Sequence, residues 1–180
     1  MIKKITIIAL VFLSLVSGIT VTARSLNKEN LKISFEVGNL KIRTVDGSFE
    51  GLEGEVTFDA SMPENASFDL CIDASSVNTG NERRDKHLRD EDYFHVEKYP
   101  TICFQSESVE EVEGGYLAKG QLTMLAVSRE VEIPFNYENG ELSGKLSINR
   151  FDYDLGKDVG TGKISEEVII NITYTLNDQE

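Results

Sequence analysis

The chain has 180 residues, with 31 Asp and Glu against 18 Lys and Arg, and a formal net charge of -13. So acidic a surface repels nucleic acid and anionic membranes, which excludes nucleic acid as a partner. The length suits one domain with a substantial core.

The first 23 residues predict a secretory signal peptide. Lys3 and Lys4 precede an apolar run over 5–16, and Val21-Thr22-Ala23 supplies the small residues of a cleavage site. The alternative is a membrane anchor, but the run is much shorter than the roughly 20 residues that a spanning helix needs. We therefore expect cleavage after Ala23. The mature domain, 24–180, would be periplasmic or secreted and have no stable membrane anchor.

Apolar and polar residues alternate along most of the mature chain, which predicts β-strands. In chain order, the strands start near residues 31, 54, 68, 102, 116, 131, 142 and 168. Turn signals at Asp46-Gly47, 63–65, 113–115 and Asn139-Gly140 favour antiparallel hairpins. The expected fold is all-β, either a closed barrel of about eight strands or two stacked sheets.

One short helix interrupts the strands. The polar stretch 81–89 is rich in helix formers, and Asn81 is a candidate N-cap. We expect a loop at 90–100 and a long loop at 150–166. The alternation places Cys71 and Cys103 on the outer face of neighbouring strands. A disulfide between them is possible in an oxidising compartment, and two free thiols are the alternative.

Small residues on the predicted inward faces point to an internal cavity. Gly54, Gly120 and Gly144 stand where a filled core would carry Leu or Ile, although each could instead mark a bulge or a bend. The predicted lining, taken as the ligand-binding site, is Phe35, Gly54, Phe58, Phe68, Leu70, Phe104, Gly120, Leu122, Ile133, Phe135, Gly144, Ile148 and Ile170.

No catalytic motif stands out. His87 and His95 are the two histidines, and no nucleophile elbow or nucleophilic Cys context is present. A metal pair of His87 and His95 with Asp90 or Asp92 is conceivable, but its spacing matches no common zinc pattern. The glycine-rich segment 156–163 lacks the residues of a phosphate loop. We expect no enzyme activity, no catalytic or metal site, and no cofactor.

The central block of the sequence carries a family resemblance. The segments 75–80, 84–89, Tyr93-Phe94 and 98–106 resemble the YceI-like family, and 33–37, 47–54, 120–123 and 129–131 are also similar. The resemblance implies a lipocalin-like antiparallel barrel, export to the periplasm, and a long polyisoprenoid-type lipid in an internal tunnel. The chain departs from the family at Leu125-Ala126-Val127, where a turn containing Gly is usual, and at Glu130, where Pro is common.

The expected function is binding of a long apolar lipid, of polyisoprenoid or isoprenoid-quinone type. We expect Arg83, Arg84, Lys86 and Arg89 to offset neighbouring acids, which favours a neutral head group over a diphosphate. The central block, including Ser76, Thr79, Asp85 and His87, is expected to pin the helix over one barrel end. The alternative function is a ligand-free interaction or stress module of the cell envelope, and a homodimer is an open possibility.

Overall fold

The computed structural model describes residues 24–25, 30–39 and 42–176, so the predicted signal peptide, 1–23, lies outside the described residues. These residues form one antiparallel sheet of ten strands. The strands are β1 Arg24–Ser25, β2 Leu31–Asn39, β3 Arg43–Phe49, β4 Glu53–Thr57, β5 Ser67–Asp73, β6 Thr101–Val112, β7 Gly115–Met124, β8 Val127–Glu138, β9 Glu141–Asn149 and β10 Ile164–Thr175. The helix α1 spans Glu82–Arg89. No helix in this part of the chain has the length and apolar character to cross a membrane.

The order of strands in the sheet is β1-β4-β5-β6-β7-β8-β9-β10-β2-β3. The sheet curls, and β3 reaches the segment that follows β5. There, Ser48 and Asn78 exchange backbone hydrogen bonds of 2.9 and 3.0 Å. Ser76 Oγ accepts from Glu50 N at 2.8 Å and lies 3.0 Å from Glu50 O. This arrangement confirms the predicted antiparallel barrel with one short helix.

Two strands, β1 and β3, were not predicted. Asp46-Gly47 was expected to be a turn, but both residues lie inside β3, where they pair with Glu36 and Phe35. Gly47 fits there because the Phe35 ring lies over it. A Cβ at Gly47 would be 2.2 Å from Phe35 Cζ. The prediction of a turn was therefore wrong: this glycine makes room for an aromatic ring.

The antiparallel pairing gives the barrel two ends. At what we call the closed end, 113–114 joins β6 to β7, Asn139-Gly140 joins β8 to β9, and 58–66 joins β4 to β5. At the opposite end, the loop end, the longer connections are 74–100 and 150–163. The β2–β3 hairpin and the β7–β8 turn also lie there. The long insertions thus accumulate at one end.

The helix at the loop end begins as predicted. Asn81 Oδ1 accepts from Arg84 N at 3.1 Å, which is a standard N-cap. The β7–β8 turn, by contrast, contains Leu125 and Ala126 in left-handed backbone, with φ of 52° and 61°. Such turns favour Asn and Gly, since left-handed backbone is strained for residues that carry a Cβ.

Candidate functional site

An apolar space lies inside the curled sheet, in two lobes. The larger lobe, toward the loop end, has a volume of about 200 Å³. The smaller lobe, toward the closed end, has about 70 Å³. Leu70, Phe104, Ile133 and Ile172 line both lobes, so the two form one elongated site.

The inward faces of the strands supply most of the predicted lining. Phe35, Leu122, Ile148 and Ile170 line the larger lobe. Phe68, Phe135 and Gly144 line the smaller lobe, while Leu70, Phe104 and Ile133 line both. Period-two alternation thus places these residues on one continuous inner wall.

Two of the predicted lining glycines are not at the cavity. A Cβ at Gly54 would lie 1.9 Å from the Asp69 carbonyl oxygen, and Gly54 is exposed with φ of +128°. A Cβ at Gly120 would lie 2.2 Å from the Gln105 carbonyl oxygen, beside a register shift in β6. Both glycines allow a neighbouring backbone to approach closely, so they do not leave free volume.

Phe58 does not line the cavity either. Its ring makes edge contacts with Tyr116, Phe135 and Tyr137, at centroid distances of 5.2, 5.6 and 5.2 Å. Tyr116 also stacks on Phe135 at 5.3 Å. We call Phe58, Tyr116, Phe135 and Tyr137 the aromatic plug. It fills the barrel beyond the smaller lobe.

The loop-end segments contribute lining that the alternation could not reveal. Leu88 and Phe94, from the segment 74–100, line the larger lobe, and so does Leu155 from the segment 150–163. Phe94 packs edge-on against Phe49 at 5.5 Å. These side chains cover the inner space at the loop end.

Arg150, which the sequence analysis missed, holds the segment 150–163 in place. It is 2% exposed and also lines the larger lobe. Its guanidinium donates to the carbonyl oxygens of five residues: Ser165, Leu155, Gly156, Val159 and Ile164. Burial lowers the pKa of Arg150. The bonds use every N–H that a guanidinium carries, which leaves none for a ligand.

The first residues of the segment 150–163 fill a gap in the wall. β8 and β9 pair from Phe135 opposite Gly144 to Glu138 opposite Glu141, and farther along they separate. There, Arg129 Nε donates instead to the Asp152 carbonyl at 3.1 Å. Tyr153 is buried beside these strands, and this burial raises the pKa of its phenol to about 12. A short 3-10 helix, 150–153, therefore replaces the missing part of the ladder.

Hydrogen bonds between its own residues hold the segment 74–100 together. The buried Asp85 carboxylate accepts from the backbone N–H and from the hydroxyl of Thr79. Arg84 donates to Thr79 Oγ1 at 2.7 Å and to Thr79 O at 2.9 Å. Arg89 donates to Ser75 O and Val77 O at 2.6 and 2.9 Å. Arg84 and Arg89 thus bind the hydroxyl and carbonyl oxygens of this segment, where the sequence analysis expected charge pairing with nearby acids.

The two histidines lie in the same segment. His87 Nδ1 is 3.9 Å from Asp90, and its ring packs edge-on against Tyr93 at 5.1 Å. His95 packs edge-on against Tyr99 at 5.7 Å. Within the described part of the chain, His, Cys, Asp and Glu form no group of three that could hold a metal ion.

A disulfide joins Cys71 of β5 to Cys103 of β6. The two residues lie directly opposite each other in the ladder, with Cα atoms 4.1 Å apart. Of the two alternatives that the sequence left open, the disulfide is the one present. It ties together the two strands from which the segment 74–100 leaves and to which it returns.

Comparisons with known proteins agree with this architecture. A UPF0312 protein of Photorhabdus laumondii, plu2095, is 31% identical over 152 residues, which cover 78% of each chain. Among solved structures, Burkholderia cenocepacia BcnA has a TM-score of 0.77 at 22% identity and covers 84% of this chain and 99% of its own. A polyisoprenoid binding domain from Saccharophagus degradans has a TM-score of 0.62 at 19% identity and covers 85% and 98%. The profile of the YceI-like domain matches residues 25–176, and the chain belongs to the YceI-like family.

Proposed function

We propose that this protein binds a long apolar lipid, of polyisoprenoid or isoprenoid-quinone type, inside its barrel. The observation that carries the proposal is the elongated two-lobed cavity with a wall of Leu, Ile, Val and Phe side chains. The related fold of a polyisoprenoid binding domain supports the same ligand class. A ligand-free interaction module would need no such interior, so the cavity favours lipid binding.

The dimensions favour a thin chain as the buried part of the ligand. Lobes of about 200 and 70 Å³ are smaller than the roughly 300–1,000 Å³ of pockets for drug-sized ligands. Each buried CH₂ contributes about 0.8 kcal/mol, so one isoprene unit contributes about 3–4 kcal/mol. Ordering of the chain offsets part of this gain. Tight binding therefore requires several units, and the head group remains outside the apolar space.

The polar groups along the wall favour a neutral head group, such as a quinone, over a diphosphate. A diphosphate requires cations with free donors. The Arg150 guanidinium is fully used by backbone carbonyls, and Arg84 uses two of its N–H groups on Thr79. The same hydrogen bonds support binding without catalysis, because these two arginine side chains stabilise the folded chain. We propose no cofactor other than the lipid.

We propose that the protein acts outside the cytoplasm, in the periplasm or the medium. The basic and apolar start of the chain supports export, and a disulfide suits an oxidising compartment. Expression of the full chain, followed by cell fractionation and N-terminal sequencing, tests this part. We expect the exported protein to begin at Arg24; a cytoplasmic protein that still carries Met1 would refute export.

Ligand extraction with a pair of matched variants tests the binding function. The exported protein is extracted with organic solvent, and the extract is weighed by mass spectrometry. Ile170→Phe adds volume inside the larger lobe. Ile169→Phe adds the same volume one residue earlier, on the outer face opposite Glu36 and Ser147. We expect lipid in the wild type and in Ile169→Phe, and a several-fold loss in Ile170→Phe.

A second variant tests the smaller lobe. Gly144 lines it, and a Cβ there would be 3.3 Å from both Ile133 Cγ2 and the Pro134 carbonyl oxygen, so these neighbours must shift by a few tenths of an ångström. We expect Gly144→Leu to fold and to carry less lipid. If both Ile170→Phe and Gly144→Leu retained wild-type lipid content, the ligand would not occupy the cavity. An extract without any lipid would favour the ligand-free module.

A further inference from the structure

Two residues of the segment 74–100, Arg84 and Tyr93, bring polar groups to the wall of the larger lobe. Arg84 is half-buried, so it lies where the apolar space meets solvent, whereas Tyr93 is 7% exposed. A mainly apolar pocket obtains its specificity from a few polar groups of this kind. What Arg84 and Tyr93 can bind depends on which of their N–H and O–H groups the protein itself uses.

The Arg84 guanidinium has donors that the described part of the chain does not use. Its Nε donates to Thr79 Oγ1 at 2.7 Å, and its Nη2 donates to Thr79 O at 2.9 Å. Because a guanidinium has five N–H groups and no acceptor, these two bonds leave three N–H groups. Arg150 lines the same lobe, but carbonyl oxygens accept from all of its N–H groups. Of these two arginines, Arg84 is therefore the one that can donate to a ligand.

The Tyr93 ring is held in place, while its hydroxyl forms no hydrogen bond with a described residue. The ring lies against Gly156 of the other loop-end segment, where a Cβ would be 2.8 Å from Tyr93 Cε1. The His87 ring packs edge-on against it at 5.1 Å. Burial raises the pKa of the Tyr93 phenol, so the hydroxyl keeps its proton and can donate. Tyr93 thus supplies a second donor to the same lobe.

The surroundings of Arg84 favour a neutral acceptor. The Thr79 hydroxyl accepts from Arg84 and donates to the buried Asp85 carboxylate. A buried negative charge therefore lies one hydroxyl away from the guanidinium and balances its charge. A diphosphate needs cations that are not already balanced, whereas a carbonyl oxygen needs only a donor. The free N–H groups of Arg84 thus suit the carbonyl oxygen of an uncharged head group.

We propose that Arg84 and Tyr93 form the head-group site of this protein and donate hydrogen bonds to the carbonyl oxygens of a quinone. The isoprenoid tail then occupies the two lobes behind them. This inference rests on the proposed function, and it adds the residues that select the ligand. The apolar wall binds any isoprenoid tail of suitable length, whereas Arg84 and Tyr93 distinguish a quinone from a hydrocarbon with the same tail.

Competition between two matched probes tests the head-group site. The exported protein is incubated with an equimolar excess of ubiquinone-2 and geranylbenzene, which carries the same tail on a ring without carbonyl oxygens. Gel filtration removes free probe, and chromatography gives the ratio of the two bound probes. We expect wild type to retain about tenfold more ubiquinone-2, since a hydrogen bond from a charged donor is worth about that factor. Arg84→Met should lose most of this preference, and Tyr93→Phe should lose part of it.

Arg89→Met is the matched control for Arg84→Met. Arg89 also donates twice to residues of the segment 74–100, but it does not line the larger lobe. We expect the two variants to lose similar stability in thermal unfolding, and Arg89→Met to keep the wild-type ratio of probes. An equal loss of preference in both variants would show that Arg84 acts only through the fold, and so overturn the proposal. If Arg84→Met did not fold, Tyr93→Phe would decide, because it removes a hydroxyl without a protein partner.

The remaining outcomes separate the head-group site from the proposed function. A wild-type ratio in both Arg84→Met and Tyr93→Phe would overturn the head-group site. A wild type that retains both probes equally would also overturn this site, while lipid binding itself would stand. A wild type that retains neither probe and yields no lipid in the solvent extract would refute the lipid-binding function.

Discussion

The two ends of the barrel are filled by different kinds of interaction. At the closed end, the aromatic plug of Phe58, Tyr116, Phe135 and Tyr137 fills the space with ring contacts beneath short turns. At the loop end, two long segments cover the opening. Arg150 bonds to backbone carbonyls of one segment. In the other, bonds from Arg89 and between Asp85 and Thr79 hold the segment together, and bonds from Ser48 and Glu50 attach it to the barrel.

This difference bears on how each end can open. Aromatic packing is lost gradually as rings separate, and the plug belongs to the strands or lies directly next to them. A hydrogen-bonded segment can move away as a unit once a few directional bonds break. We therefore expect the loop end to admit the ligand and the closed end to act as a fixed base. The following predictions test this comparison, from the largest expected effect to the smallest.

Removal of the Arg150 guanidinium should destabilise the protein most. Arg150→Met leaves five carbonyl oxygens without their donor. We expect a loss of about 3–5 kcal/mol in the free energy of unfolding, measured by urea denaturation. Lys163→Met, an exposed change in the same segment, should have little effect. A loss below about 1 kcal/mol for Arg150→Met would mean that the guanidinium does not hold the loop end.

The disulfide should stabilise the base of the other loop-end segment. Replacement of both Cys71 and Cys103 by Ser should cost about 3–4 kcal/mol, by loop-closure entropy. Thiol labelling of the unfolded, unreduced wild type should detect no reactive thiol. Two reactive thiols per chain would show that the bond is absent, and the double variant would then be as stable as wild type.

Truncation of the aromatic plug should lower stability without changing lipid content. Phe58→Ala removes three ring contacts at the closed end, and we expect a loss of about 2–3 kcal/mol. Phe58→Leu keeps the apolar volume and should lose about 1 kcal/mol. If Phe58→Ala emptied the protein of lipid while it remained folded, the ligand would extend through the closed end.

Removal of the Asp85 carboxylate should loosen the helix segment. Asp85→Ala leaves the N–H and hydroxyl of Thr79 without their acceptor, so we expect a loss of about 2 kcal/mol and a melting temperature about 4–8 °C lower. Asp92→Ala, an exposed change nearby, is the control. Unchanged stability together with loss of lipid would assign Asp85 to the ligand instead.

Relief of the backbone strain in the β7–β8 turn should stabilise the protein slightly. Ala126 has φ of 61°, a conformation that costs a residue with a Cβ about 1 kcal/mol relative to Gly. Ala126→Gly should therefore raise the free energy of unfolding by up to about 1 kcal/mol. Ser128→Gly, just inside β8, should lower it. A destabilising Ala126→Gly would show that the methyl group makes a contact worth more than the strain.

The inner wall could be predicted because apolar and polar residues alternate along a half-buried strand, and this alternation is visible in the sequence. Phe68 and Leu70, for example, belong to one strand, and both face the cavity. The N-cap at Asn81 was predictable because a cap involves residues only a few positions apart. Local patterns of this kind are visible in one sequence.

The errors concern features that depend on a neighbouring strand. In the sequence, a glycine on an inward face, such as Gly120, predicts free volume. In the structure, the Gln105 carbonyl occupies that volume. Arg150 carried no signal, because its acceptors converge on it only after the chain between Leu155 and Ser165 has folded back. Phe58 alternates like a lining residue, but it lies past the end of β4 among rings from other strands.

The line along which β3 meets the segment 76–78, which we call the seam, has a consequence for the circumference of the barrel. A barrel closed by an unbroken ladder keeps a fixed circumference, because every strand is bonded along its length to two others. Here, β3 is held at the seam by the Ser48–Asn78 bridge and by Ser76. Widening at that line breaks few bonds and leaves the other ladders intact. We expect the amide protons of Ser48 and Asn78 to exchange with solvent faster than those of β7. We also expect the barrel to bind ligands that are larger than the cavity seen in this structure.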